Sequence, residues 1–169
     1  MSIDQHIIRG HRILFGLILV FAIIQMSLSA WLTARFNKHH NQRSNTERDR
    51  VRYVLFCSIW TIVFTSLYLV GFWYSATGFI LTSVASHFIF VFISWAFWLA
   101  AAAAVTHMLS GGLECSCTAF VYCGHLNALE AFSWILWILF TFALVAVITR
   151  GVVAIRRGDG PRGSLVSEA

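Results

Sequence analysis

An all-α membrane protein, folded as an antiparallel bundle of four transmembrane helices, is the architecture this sequence predicts, and three observations predict it. Of 169 residues, 59% are apolar and only 11% are charged, against about 25% charge in an ordinary soluble domain. The apolar residues fall into four uncharged stretches, each long enough to cross a hydrocarbon core, which takes roughly 20 residues of helix. One proline and four cysteines exclude a proline-rich linker protein and a disulfide scaffold.

Residues 1–12 form a short N-terminal segment carrying Arg9 and Arg12. The four-span domain then covers residues 13–150. Its first span, about 13–33, has Gln25 as its one strongly polar side chain. A cleaved signal has a core of roughly 7–15 residues, so this span is too long to be one. The polar, basic stretch from Arg35 to Tyr53 reads as a loop. Within it, Ser44-Asn45-Thr46-Glu47 matches a capping box and starts the second helix about two turns before the membrane.

The second span is about 54–74 and the third about 83–108. The short uncharged turn Ser75 to Thr82, around Gly78, makes them a hairpin. A glycine-punctuated loop, Leu109 to Asn127, carries Cys115, Cys117 and Cys123. The fourth span, about 131–149, is bracketed by Glu130 and Arg150. Residues 151–169 read as a flexible tail. Lipid offers no partner for backbone amides, so each span must be helical.

Helices in lipid associate through close packing and occasional hydrogen bonds. Small and polar residues at helical spacing therefore mark the inner faces: Ala22, Gln25 and Ser29 on the first span, Ser58, Thr61 and Thr65 on the second. On the third, His87 and Ser94 lead into the run Ala100 to Ala104, whose Ala101 and Ala104 are the expected close-contact points, between copies as well as between helices. On the fourth the stripe reads Asn127, Glu130, Trp134, Trp137 and Thr141. No span carries charged residues through its middle, so the interior is expected to be dry.

Trp95 and Trp98 lie mid-span, where an indole N–H takes a partner in the bundle or meets a lipid or sterol group. His87 and His107 are about 30 Å apart along one helix, so they sit near opposite interfaces and act separately. Glu130 is placed at a helix N-terminus, where a carboxylate is favoured; the alternative is pairing with Arg52 or His107. These three are the polar interface residues.

Cys115-x-Cys117-x5-Cys123-x-His125 allows a disulfide between Cys123 and Cys115 or Cys117, free or lipidated thiols, or a metal or redox site. The spacing is neither the C-x2-C of structural zinc nor the C-x-x-C of thiol oxidoreductases. No cofactor and no nucleic acid is implied. Orientation is tied on charge: Arg9, Arg12, Arg150, Arg156, Arg157 and Arg162 face one side, Arg35, Lys38, Arg43, Arg48, Arg50 and Arg52 the other. A disulfide would put the cysteine loop in an oxidising space and both termini in the cytosol.

Arg48-Asp49-Arg50-Val51-Arg52-Tyr53 leading into Trp60-Thr61, Ser94-Trp95-Ala96-Phe97-Trp98-Leu99-Ala100, and Ala128-Leu129-Glu130-Ala131-Phe132 resemble the MARVEL-domain tetraspan proteins, in detail the fungal type. The resemblance spans roughly residues 8 to 155. It implies an M-shaped topology with cytosolic termini, in the plasma membrane or secretory-pathway vesicles. It also implies non-enzymatic roles in membrane apposition, vesicle traffic and the organisation of sterol- or sphingolipid-rich domains, through lipid contacts and homo-oligomers. Two other classes stay open on the residues themselves: a small four-helix thiol oxidoreductase using the cysteine loop, and a channel or transporter subunit.

Overall fold

The computed structural model describes residues 3–40, 44–74, 84–110 and 121–156. The expected turn around Gly78, the tail beyond residue 156, and Cys115 and Cys117 lie outside the described residues. Four helices account for nearly all of the rest: α1 (Ile3–His39), α2 (Asn45–Tyr74), α3 (Val84–Leu109) and α4 (Cys123–Arg156). Each contains a segment long and apolar enough to cross a membrane: Ile13–His39, Asn45–Gly71, Ser86–Leu109 and Cys123–Val152.

The helices run longer than their apolar spans. α1 is helical from Ile3, through the expected N-terminal segment, and α4 continues to Arg156. The expected basic loop is mostly not a loop. α1 ends at His39 and α2 starts at Asn45, so Arg35, Arg48, Arg50 and Arg52 all ride on helix ends. His40 closes α1 in the left-handed region (φ 48°), its N–H reaching the Phe36 carbonyl at 3.0 Å. Ser110 ends α3 the same way, with φ 56°. Ser44 Oγ accepts the Glu47 N–H at 3.2 Å and caps α2, as its sequence implies.

α4 begins at Cys123, eight residues before its expected span. Its first turn is closed by the Leu126 N–H on the Tyr122 carbonyl at 3.0 Å. Glu130 is therefore two turns inside the helix rather than at its start, and the free amides of the N-terminus do not hold it.

α1 packs on α2 and α4, and α3 packs on α2 and α4, with α1–α2 and α3–α4 the more extensive pairs. The buried positions share one period. On α1 they are Phe15, Ile18, Ala22, Gln25, Ser29, Leu32 and Phe36; on α4 they are Leu126, Leu129, Ser133, Leu136, Phe140, Ala143 and Val147. Steps of three and four alternate throughout, and Val51, Val54, Ser58, Thr61, Thr65 and Tyr68 repeat the pattern on α2. This is the heptad spacing that winds helices left-handed with side chains interlocked. Outside it, Ile, Val, Leu and Phe side chains face outward on every helix.

Candidate functional site

The polar side chains inside this apolar shell gather at four places. At the centre, Gln25 of α1 reaches α4, its Nε2 donating to the Leu129 carbonyl at 2.9 Å and to Ser133 Oγ at 2.8 Å. Ser133 Oγ donates its own hydrogen bond to the same carbonyl at 2.7 Å. Gln25 is fully enclosed, and its Oε1 takes no bond from a described residue. Beside this network, the indole of Trp98 donates to Thr61 Oγ1 at 3.0 Å, and the indole of Trp60 to Ser94 Oγ at 3.3 Å. Both bonds join α3 to α2.

The second place is the outer seam of α3 and α4. The Trp134 indole donates to Thr106 Oγ1 at 2.9 Å, and that hydroxyl donates to Glu130 Oε1 at 2.7 Å. Deeper in the seam, Trp95 Nε1 donates to Thr141 Oγ1 at 3.0 Å. Trp137 lies between them, perpendicular to Trp134 with centroids 5.5 Å apart. Its Nε1 is covered and has no partner among the described residues.

At the opposite end of the bundle, His87 stacks on Phe15 (5.0 Å, 28°) and meets Tyr68 edge-on (4.7 Å, 88°). The Tyr68 hydroxyl reaches Ser86 Oγ at 3.0 Å. His87 is thus at the membrane edge in depth but wholly enclosed between rings of two other helices.

The fourth place is the basic end. Arg50 Nη1 donates to the Ala104 carbonyl at 2.9 Å, tying the start of α2 to α3. Arg52 Nη2 donates to Asn37 Oδ1 at 3.0 Å. Arg35 covers the Trp31 ring at 5.2 Å, and Trp31 stacks on His125 at 4.4 Å. Arg48 and Asp49 approach at 3.9 Å.

Several sequence expectations are corrected here. Trp98 does not face lipid: it is fully enclosed and bonded to Thr61. Trp95 is half-buried and bonded to Thr141. The stripe Asn127, Glu130, Trp134, Trp137 and Thr141 is the half-buried seam; the inner face of α4 lies one residue earlier. Glu130 pairs with neither Arg52 nor His107, since Thr106 takes its Oε1 and Arg52 bonds Asn37. His107 is exposed at the end of α3.

Gln25, Thr61, Thr65, Ser94 and Ala101 are enclosed within one copy of the chain. Ala101 therefore cannot be a contact between copies, and Ala104 is half-buried beside α2 with its carbonyl engaged by Arg50. The Gln25–Ser133 and Thr106–Glu130 links were missed. The heptad spacing, which sets Gln25 and Ser133 on facing inner stripes, is the signal that could have found the first.

Cys123 is nearly buried and disulfide-bonded, while Cys57 is a free thiol enclosed in α2. The choice between Cys115 and Cys117 as partner lies outside the described residues. Among the described residues no three His, Cys, Asp or Glu side chains converge as a metal-binding group.

A family model for MARVEL, a membrane-associating domain, matches residues 6–146. No curated protein and no solved structure matches the chain.

Proposed function

The chain belongs to the MARVEL family of membrane-associating domains and is an integral membrane protein with four spanning helices, and on that premise we propose that it organises membrane domains or vesicle traffic without catalysing a reaction. It does so by self-association and by contact with lipid, with sterol or sphingolipid as the lipid classes.

One observation carries this reading. The outward positions of α2 and α4 bear mostly large aliphatic and aromatic side chains, whereas α3 beyond Phe92 turns out Ala96, Ala100 and Ala103, and α1 turns out Ser27, Ala30 and Ala34. Large side chains suit fluid acyl chains. Small ones let another backbone approach closely, which is how helices associate in lipid. The contact between copies thus falls on these small outward positions of α3 and α1, with Ala100 one residue away from Ala101.

The working orientation puts both termini in the cytosol and the basic end outside, in the plasma membrane or a secretory vesicle. The disulfide state of Cys123 supports it, because such bonds persist in oxidising compartments. Energy transfer between labelled copies in phospholipid–sterol vesicles tests the self-association. Transfer above that of randomly placed monomers is the expected result, and transfer at the random level would sink it.

A further inference from the structure

We propose that Arg52, held in place by Asn37, binds the phosphate of a lipid whose headgroup carries a net negative charge, on the outer face of α2. The proposal rests on the lipid-contact reading and deepens it by naming the headgroup.

Charge complementarity selects the headgroup. Residues 35–52 contain six Lys and Arg side chains against two carboxylates. Even with Glu114 and Glu130 of the same end counted, cations outnumber carboxylates, so no pairing within the chain answers them all. Arg52 keeps its charge. Among the described residues its one bond is Nη2 to Asn37 Oδ1 at 3.0 Å, and an amide oxygen fixes a guanidinium without neutralising it. The nearest carboxylate along the helix, Asp49, is approached by Arg48 at 3.9 Å.

Placement selects a lipid rather than a dissolved anion. Arg52 is exposed and borders the uncharged stretch 53–74, so it stands where hydrocarbon gives way to headgroups. Residues 52, 56, 59 and 63 share one face of α2 by helical spacing. Phe56, Ile59 and Val63 on that face are about half exposed, at 50%, 47% and 48%, and suit acyl chains. This face is separate from the small outward positions of α1 and α3. An arginine fork takes two oxygens of one phosphate at once, and anchoring by Asn37 spares the lipid the cost of ordering a free side chain.

The test reconstitutes the full chain in dioleoyl phosphatidylcholine vesicles with trace spin-labelled phosphatidylglycerol or phosphatidylcholine. Spin resonance separates lipid held at the protein surface from bulk lipid. The wild type should hold phosphatidylglycerol about fivefold over phosphatidylcholine, the weight of one arginine near the surface. Arg52→Gln should bring that ratio close to one. Arg35→Gln removes the same charge from over Trp31 and should leave most of the ratio. Asn37→Leu changes no charge and should lower it about twofold by freeing the guanidinium.

Equal holding of the two lipids, equal losses from Arg52→Gln and Arg35→Gln, or a ratio untouched by Asn37→Leu would each overturn the proposal. So would displacement of the lipid by inorganic phosphate beyond that by chloride at equal ionic strength, which would reassign the arginine to a free anion. The absence of any held lipid would remove the lipid-contact reading itself, whereas held lipid without headgroup preference removes this proposal alone.

Discussion

The indole nitrogen of Trp98 lies 3.0 Å from the hydroxyl of Thr61, and both residues are fully enclosed. This bond spans α3 and α2 near mid-membrane. Thr61→Val keeps the shape but strands a buried N–H, which costs about 1–2 kcal/mol. Trp98→Phe also loses ring volume. The double variant should be more stable than the two single losses summed, because neither partner is then left alone. Unfolding in mixed micelles by titrated denaturing detergent, followed by helix content, gives all four values; strict additivity would contradict the coupling.

Gln25 is the sole described hydrogen-bond link between the side chains of α1 and the α4 inner stripe. Gln25→Leu should destabilise by roughly 1 kcal/mol, in line with the modest worth of hydrogen bonds in lipid, about 0.6 on average and up to about 1.7. Ser133 keeps its bond to the Leu129 carbonyl, so that acceptor is not orphaned. A loss above about 3 kcal/mol in the same titration would mean the amide holds something more, such as a water at its open Oε1.

Two neighbouring alanines should behave oppositely. Ala101 is enclosed and Ala100 outward-facing. Ala101→Phe overpacks the bundle and should cost about 1–3 kcal/mol or prevent folding. Ala100→Phe should leave the fold intact while lowering energy transfer between labelled copies at least severalfold. Unchanged transfer with Ala100→Phe would remove this face from the contact between copies.

Cysteine accessibility reports the orientation. An impermeant maleimide applied to sealed cells should label one thiol at the loop end before reduction and three after it, because the Cys123 disulfide takes one of Cys115 and Cys117 and leaves the other, while Cys57 is enclosed in α2. Labelling that requires permeabilised membranes would put the loop end in the cytosol and reverse the proposed topology.

Much of this fold is legible in the residues. Four uncharged runs are visible because lipid demands them, and Ala22, Gln25 and Ser29 mark an inner face since small and polar groups have nowhere better to sit. Ser44 and Glu47 announce a helix start through chemistry local to four residues. The miss on α4 has a physical cause: Trp134 and Glu130 straddle a seam where each is half-covered while its polar tip finds Thr106. Sequence spacing cannot separate that from burial. Nor could it enclose His87, because the rings that do so, Phe15 and Tyr68, arrive from other helices. The early start of α4 was hidden because Cys123, Gly124 and Asn127 have weak helix propensity, and neighbouring helices override it.

The uncharged stretches of the four helices, 13–34, 53–74, 84–109 and 131–149, amount to roughly 28–39 Å of rise. Hydrocarbon averages about 30 Å in thickness, thinner in the endoplasmic reticulum and about 32–33 Å where sterols and sphingolipids are abundant. Only α3, with 26 uncharged residues, exceeds these thicknesses, and an interlocked bundle cannot tilt one member by itself. The bilayer around the α3 face must therefore thicken or let the helix ends stand among the headgroups, a local distortion that the other three helices do not impose.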